Sequence, residues 1–575
     1  MDFIKRHIRE VPLYIIAAGL PLITYFHIQY IQFGDFAWFP NQTTWTDFFL
    51  YGKSRCVHFL GLFMAIFLLI GAVRKKNARF EREWLLVLLY GILQLISAFS
   101  SAYPQQSFFG GIEQYESVWV LLGYLMIGCY AYQCIIYSES LEKIMTALFL
   151  GVFLSCILGF AQLLQHDFWE TGLGKQLLIP QAYAELRENL RFNFAQGDWE
   201  PVYLASYNPN YAGIYLLMIL PCIFLWKNKY KWILGIIVTI CMIGTMSKTV
   251  IFTAIILIVL CVILFRKILL QIHKIWKVML VLLTFVFGIV SVIVSGNEAD
   301  VSDEMLLQEV ICEKDYVRIT YQGETIRMRD VPQYDGGVKY EICYEDGSHV
   351  ALKWNEKSGE LEPYAENLHG LRFKVYQKDD ISYIMFRYGD IPFRFTNDVG
   401  TGKYEYVSIN GKTDELLTAE TVGNLSEEFI NGRGYIWNRT LAVVSDNMLL
   451  GTGPDTFLPE FPQDDYVIRS NLGHTFFTQI LTNAHSLYMH MAMQTGIPSL
   501  LCYVGFVLIY LKKSWKLYSG KMEYCFMEKM GIGIFLGVTG YLICGLTFAS
   551  SVCTTPIFWL LLGLGIGINK INIRE

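Results

Sequence analysis

The strongest constraint on this chain is a set of long stretches without a charged side chain. Residues 84–112 and 117–138 contain no Asp, Glu, Lys or Arg. About 20 such residues cross the hydrocarbon of a bilayer as a helix, the form that satisfies every backbone group within one segment. The pattern recurs twelve times, near 11–31, 56–73, 84–100, 118–137, 142–164, 208–226, 231–246, 249–265, 278–295, 490–511, 530–548 and 556–570. Only 17% of the 575 residues are charged, against about 25% in soluble domains. The reading is a polytopic α-helical membrane protein with about twelve transmembrane helices. A net charge of −5 offers nothing to nucleic acid. The first apolar stretch leads into further spans, so no cleavable leader is expected.

Basic residues orient the spans. With Lys5, Arg6 and Arg9 placed in the cytosol, strict alternation brings three further basic clusters inside: Arg74/Lys75/Lys76/Arg79/Arg82, Lys227/Lys229/Lys231 and Arg266/Lys267/Lys274/Lys277. Lys512/Lys513/Lys516 and Lys570/Arg574 follow on the same side. Both termini are then cytoplasmic. Segments 32–55, 101–117, 165–207 and 296–489 lie outside.

The last of these is large. From about 312 to 412 it alternates polar and apolar residues between turn signals such as QG, EDG, KDD, YGD and NGK. This predicts an inserted extracytoplasmic antiparallel β domain of about eight strands. The expected organisation is N-terminal helices over 1–295, the β domain over 296–425, a helical and loop region over 426–489, and C-terminal helices over 490–575. In 426–489, Trp437, Leu441, Val444 and Met448 recur at helical spacing, and Gly451 and Gly453 mark the stop. The thirteen cysteines are scattered without metal-ligand spacing. Cys312 and Cys343 are read as unpaired, although both lie in the polar region.

Cations on the outer side run against the charge bias. Lys53, Arg55, Lys248, Arg433, Arg439, Arg187 and Arg191 are all placed there. Arg187, Arg191 and Arg439 read as side chains reaching to lipid headgroups. Lys248 sits in a turn too short to leave the bundle mouth, where a fixed cation suits an anionic group such as a diphosphate. The stretch NAHSLYMHMAMQTG, residues 483–496, adds His485. An imidazole near its ordinary pKa of about 6.5 can take a proton from a hydroxyl. Cations for a diphosphate beside a base for an alcohol suit glycosyl transfer, with the leaving charge stabilised electrostatically. A structural histidine remains the alternative on these residues alone. The neighbouring His490 has no evident role.

Five motifs in order resemble the O-antigen ligase / O-antigen polymerase superfamily of membrane glycosyltransferases. They are SFFGGIEQYESVW at 107–119, ASYNPNYAG at 205–213, Arg433-x3-Trp437 followed by LLGTGPDTF, His485-Ser486-x9-Gly496, and SVCTTPIFWLLLGL at 551–564. The resemblance spans most of the membrane part and omits the β domain. It implies inverting transfer, without metal or other cofactor, of an undecaprenyl-diphosphate-linked glycan to a glycan, lipid or cell-wall acceptor hydroxyl. His485 would be the catalytic residue, with Arg433, Lys248 and either Lys53 or Arg55 holding the diphosphate. The setting implied is a bacterial cytoplasmic membrane with the active site on its outer face. The chain departs from the family at Ser247-Lys248, where Ser-Arg is usual. Motifs do not separate polymerase from ligase. A lipid-linked glycan flippase and a non-catalytic glycan receptor are the rival classes.

Overall fold

The computed structural model describes residues 9–31, 33–73, 80–138, 140–194, 199–271, 306–332, 338–378, 381–397 and 403–574. The expected span at 278–295 lies outside them, as do Lys5, Arg6, Arg74, Lys75, Lys76, Arg79, Lys274 and Lys277. Within the described residues, six helices are long and apolar enough to cross a membrane. These are α1 (Tyr51–Val73), α3 (Val118–Ser138), α4 (Leu141–Leu163), α9 (Leu487–Tyr518), α10 (Phe526–Cys544) and α11 (Thr555–Arg574). Four shorter apolar helices accompany them: α2 (Trp84–Ser100), α5 (Pro209–Phe224), α6 (Lys231–Gly244) and α7 (Lys248–Leu264). The protein is a helical membrane protein.

One expected span differs. Helical turns over residues 9–22 stop just past Pro21, and His27–Tyr30 (β1) instead pairs antiparallel with Thr44–Asp47 (β2). Proline lacks the amide hydrogen that would continue the ladder, and further on His27 and Gln29 alternate with Ile28 and Tyr30, the period of a strand rather than of a helix.

The β region is larger than expected, with eleven strands among the described residues. Four of them, from Leu307–Cys312 to Val338–Tyr344, form one antiparallel sheet. Seven, from Leu352–Asn355 to Thr413–Asp414, form a second sheet in simple sequence order. The extra strands have two to four residues, too short to show alternation. Ile319 and Ile326 of the first sheet share a core with Phe373, Phe386 and Phe393 of the second. Tyr466, Val467 and Phe477, from beyond the strands, complete this core. Asn471 clamps it by bonding both the carbonyl (2.8 Å) and the amide (3.1 Å) of Leu307. Cys312 and Cys343 are free thiols.

Two of the motifs meet at a break in α9. At Gly496 the backbone turns to φ 82°, ψ 164°, and the 449–453 turn packs into the gap. Ile497 donates to Met448 O (2.8 Å), Thr452 to Met493 O (2.8 Å) and Gly453 to Gln494 O (2.9 Å). A Cβ at Gly496 would run into the Leu449 carbonyl, which is backbone and cannot step aside. That conformation is open essentially to glycine alone. Gly496→Ala is expected to lower stability by roughly 3 kcal/mol, read as a lower thermal midpoint in detergent. An unchanged midpoint would mean the interlock is loose.

Candidate active site

The loop before α9 is fixed at every residue. His485 has φ 46°, the left-handed region, which costs a non-glycine residue on the order of 1 kcal/mol or more. Asn483 compensates by accepting the His485 amide on its side-chain oxygen at 2.9 Å. Ser486 caps α9, its hydroxyl facing the Met489 amide at 3.5 Å. Leu487 donates to the Gly545 carbonyl (2.8 Å). The Ala484 carbonyl accepts the Trp437 indole N–H at 3.0 Å. The imidazole is therefore aimed by neighbours on both sides.

Trp437 lies on α8 (Phe429–Asp446), and Arg433 sits one turn earlier on the same face. This accounts physically for the Arg-x3-Trp spacing. Arg433 is half-buried, its guanidinium 5.4 Å from the Phe548 ring. Its Nε is buried without a hydrogen-bond partner. Burial pushes its pKa down, and no acidic group is among the causes to raise it again. His485 is pushed down to about 4, first by burial and then by the Arg433 charge. The ordinary imidazole pKa expected from the sequence therefore does not hold. The ring is neutral throughout the physiological range, with a nitrogen free to accept a proton.

The other expected diphosphate ligands fall in different surroundings. Lys248 is exposed at the first residue of α7. The next residue, Thr249, meets Thr547 hydroxyl to hydroxyl at 3.1 Å, next to the Phe548 that underlies Arg433. Arg55 donates to the Phe109 carbonyl (2.6 Å) and covers the Tyr51 ring at 4.7 Å, against the 107–119 loop. Lys53 is fully buried and gives its ammonium hydrogens to the carbonyls of Ile23 (2.6 Å), Ala205 (2.8 Å) and Phe49 (3.0 Å). Three donors on three acceptors leave none for a ligand.

Arg439 does not reach for headgroups, and Arg187 and Arg191 have partners within the protein. Arg439 is buried between Asp465 (2.7 Å) and Glu427 (2.6 Å). Arg187 bonds the Ile179 carbonyl and Gln181, and Arg191 pairs with Glu170 at 3.1 Å. His490 lines a cavity of about 30 Å³ with Gln494 and Tyr503, its ring 5.7 Å from Phe457.

Sequence reasoning passed over three acids. Asp455, buried and pushed well up from the carboxylate range, accepts the amides of Gly111 (2.6 Å) and Glu116 (2.9 Å). It thereby ties the GTGPDTF turn to the 107–119 loop. Glu116 accepts the hydroxyls of Tyr124 and Ser550, both at 2.5 Å. Glu113 accepts the Thr482 hydroxyl at 2.9 Å, three residues before His485. The available signal for Glu113 and Glu116 was two glutamates in the otherwise uncharged stretch GGIEQYESVW.

Burial raises Glu116 from 4.5 to about 7. The folded state then keeps a proton that the unfolded state loses. Its contribution to stability is full below about 4.5 and is lost as pH rises through about 7. Glu116→Gln has no such proton to lose. Over that window, wild type is expected to lose up to about 3 kcal/mol relative to the variant. Thermal midpoints of both proteins at each end of the window check this; parallel curves would mean that Glu116 does not titrate there.

In the β region, Glu341, Cys343 and His349 bring ligand atoms within 4.8 Å of one another. The Arg329 guanidinium already occupies Glu341, which disfavours a cation.

Comparison with known families adds one match. Residues 399–504 fit the family model for O-antigen ligase. This segment carries the O-antigen ligase signature. It holds Arg433, Trp437, the 451–455 turn, His485 and Gly496, the residues the geometry brings together. The match supports the family resemblance and covers two of its five motifs, those of Arg433 and His485. The matched segment excludes Lys53, Arg55, Glu113, Glu116 and Lys248. No curated protein and no solved structure was found to match the chain.

Proposed function

We propose that the protein is a membrane glycosyltransferase of surface-polysaccharide assembly, acting as a polymerase or ligase. Its donor is a glycan on undecaprenyl diphosphate, and its acceptor is a hydroxyl of a glycan, lipid or wall polymer. The observation that carries this reading is Arg433: a half-buried guanidinium with no acidic partner among the described residues, beside a neutral histidine in a fixed, strained backbone. A cation left unpaired at such depth is costly unless an anionic ligand completes it.

In this mechanism the His485 ring nitrogen accepts the acceptor's hydroxyl proton. The hydroxyl oxygen attacks the anomeric carbon from the face opposite the diphosphate. The carbon–oxygen bond to the diphosphate breaks, and the configuration inverts. Arg433 holds the charge that grows on the leaving group, and Lys248, exposed at the start of α7, is the second cation that meets the diphosphate. Lys53 has no part, because its donors are spent. The site faces the outside of a bacterial cytoplasmic membrane, with both chain termini inside. Contacts among the polar segments support one shared face: Glu113 with Thr482, and Asn410 with the Ala37 carbonyl (3.1 Å).

Incubating the purified chain with a lipid-linked glycan and an acceptor tests the reading. It requires glycan-bearing acceptor and free polyprenyl diphosphate to appear together. Donor consumed without either product, or not consumed, contradicts it. Longer chains on lipid indicate a polymerase, and finished chains on a second carrier a ligase.

A further inference from the structure

A second cavity, of about 190 Å³, lies beside the histidine loop. Trp45, Phe48, Phe192, Phe194, Tyr207 and Glu113 line it. These come from three segments remote in sequence. A fourth, carrying His485, touches Glu113 from behind through Thr482. The aromatic rings are half-buried, each with part of its surface in the cavity. Glu113 stands at φ 65°, in the left-handed region. Its carboxyl accepts from Thr482 and Tyr207, and a carboxylate has about four acceptor positions. Acceptor capacity therefore remains toward the cavity. Asp47 adds a second carboxyl, one oxygen of which caps α1 by accepting the amides of Leu50 (2.9 Å) and Tyr51 (2.8 Å).

No lysine or arginine is among the lining residues. Phosphate and other anions therefore meet no cationic side chain among those residues. Aromatic faces pack on the C–H faces of a sugar ring, while carboxylates accept its hydroxyls. A mostly apolar wall with a few fixed polar groups is the usual composition of a specific small-ligand site. We infer that this cavity binds a non-acidic sugar ring of the glycan substrate, seated between the aromatic walls with hydroxyls donated to Glu113. It is distinct from the Arg433 site, which takes the diphosphate. The inference rests on the proposed glycosyl transfer and names its glycan subsite. Because Thr482 joins Glu113 to the His485 loop, occupancy here ties a sugar to the segment that carries the base.

Two probes separate this inference from the broader reading. One is the oligosaccharide released by mild acid from the native lipid-linked glycan. The other is farnesyl diphosphate, a short soluble prenyl diphosphate. Binding of each to the full-length protein in nanodiscs is followed by calorimetry. Glu113→Gln and Phe194→Ala are expected to weaken oligosaccharide binding at least tenfold and leave farnesyl diphosphate binding unchanged. Arg433→Ala is expected to do the reverse. Thermal midpoints confirm that each variant is folded; Glu113→Gln keeps an oxygen for Thr482, so it remains informative should Phe194→Ala unfold. Oligosaccharide that binds the Glu113 and Phe194 variants as it binds wild type, or fails to bind wild type, overturns the glycan subsite. Farnesyl diphosphate binding that survives Arg433→Ala instead overturns the diphosphate site and leaves the sugar result readable.

Discussion

His485→Ala should cut glycosyl transfer by about 10²- to 10⁴-fold, the usual worth of a positioned base, with the protein still folded. The substitution removes the ring, while Asn483 still holds the amide and Ser486 still caps the helix. His485→Asn is the stricter version, since asparagine tolerates left-handed backbone well and cannot act as the base. Full activity in either variant would reduce His485 to a structural residue. The environment also sets a pH signature. With its pKa depressed to about 4, His485 is a competent base down to about that pH in the free enzyme. The acid limb of kcat/KM assigned to His485 should lie near 4. A bound diphosphate offsets the Arg433 charge and favours the imidazolium, so the limb in kcat should move upward. The sign for stability is the reverse of that for Glu116. Because the folded pKa lies below the ordinary 6.5, this contribution is full above about 6.5 and is lost as pH falls through about 4.

Arg433→Ala should lose donor binding without losing the fold. A hydrogen bond to a charged group is worth about 1.5–3 kcal/mol, which corresponds to roughly a 10- to 150-fold rise in donor Kd. Stability should hold or improve, because the wild-type guanidinium is desolvated and no acidic partner is found among the described residues. Arg439→Ala is the contrast six residues on. It strands Asp465 and Glu427, at an expected cost of about 3–5 kcal/mol in stability. Arg433→Lys keeps the charge and loses the fork, so its donor affinity should fall between wild type and alanine. A destabilised Arg433→Ala protein with normal donor affinity would make Arg433 a structural residue.

Hydrophobic length and periodicity made the membrane class and the β insertion legible, since both are local properties of the chain. They did not reveal that β1 replaces the end of the first expected span, because apolar residues there continue past Pro21. Strands of two to four residues also escaped, being shorter than any detectable alternation. The site was legible where spacing is a geometric requirement. His485 to Gly496 spans the helix from its cap to its break, and Arg433 to Trp437 is one helical turn. Cations were less legible, because a sequence shows that a lysine or arginine exists and not what satisfies it. Lys53 spends its donors on three carbonyls, and Arg439 on two acids. Both pairings join residues far apart in the chain or across turns that no local rule specifies. Glu113, Glu116 and Asp455 were passed over for the same reason: their partners come from other segments.

The most direct test of the central claim is a structure of the purified protein with a non-hydrolysable lipid diphosphate analogue bound. The mechanism predicts diphosphate oxygens within hydrogen-bond distance of the Arg433 guanidinium, with Lys248 on the same side and the anomeric position facing His485. A diphosphate seated away from Arg433, or a sugar whose anomeric carbon lies out of reach of any hydroxyl that His485 contacts, would contradict it.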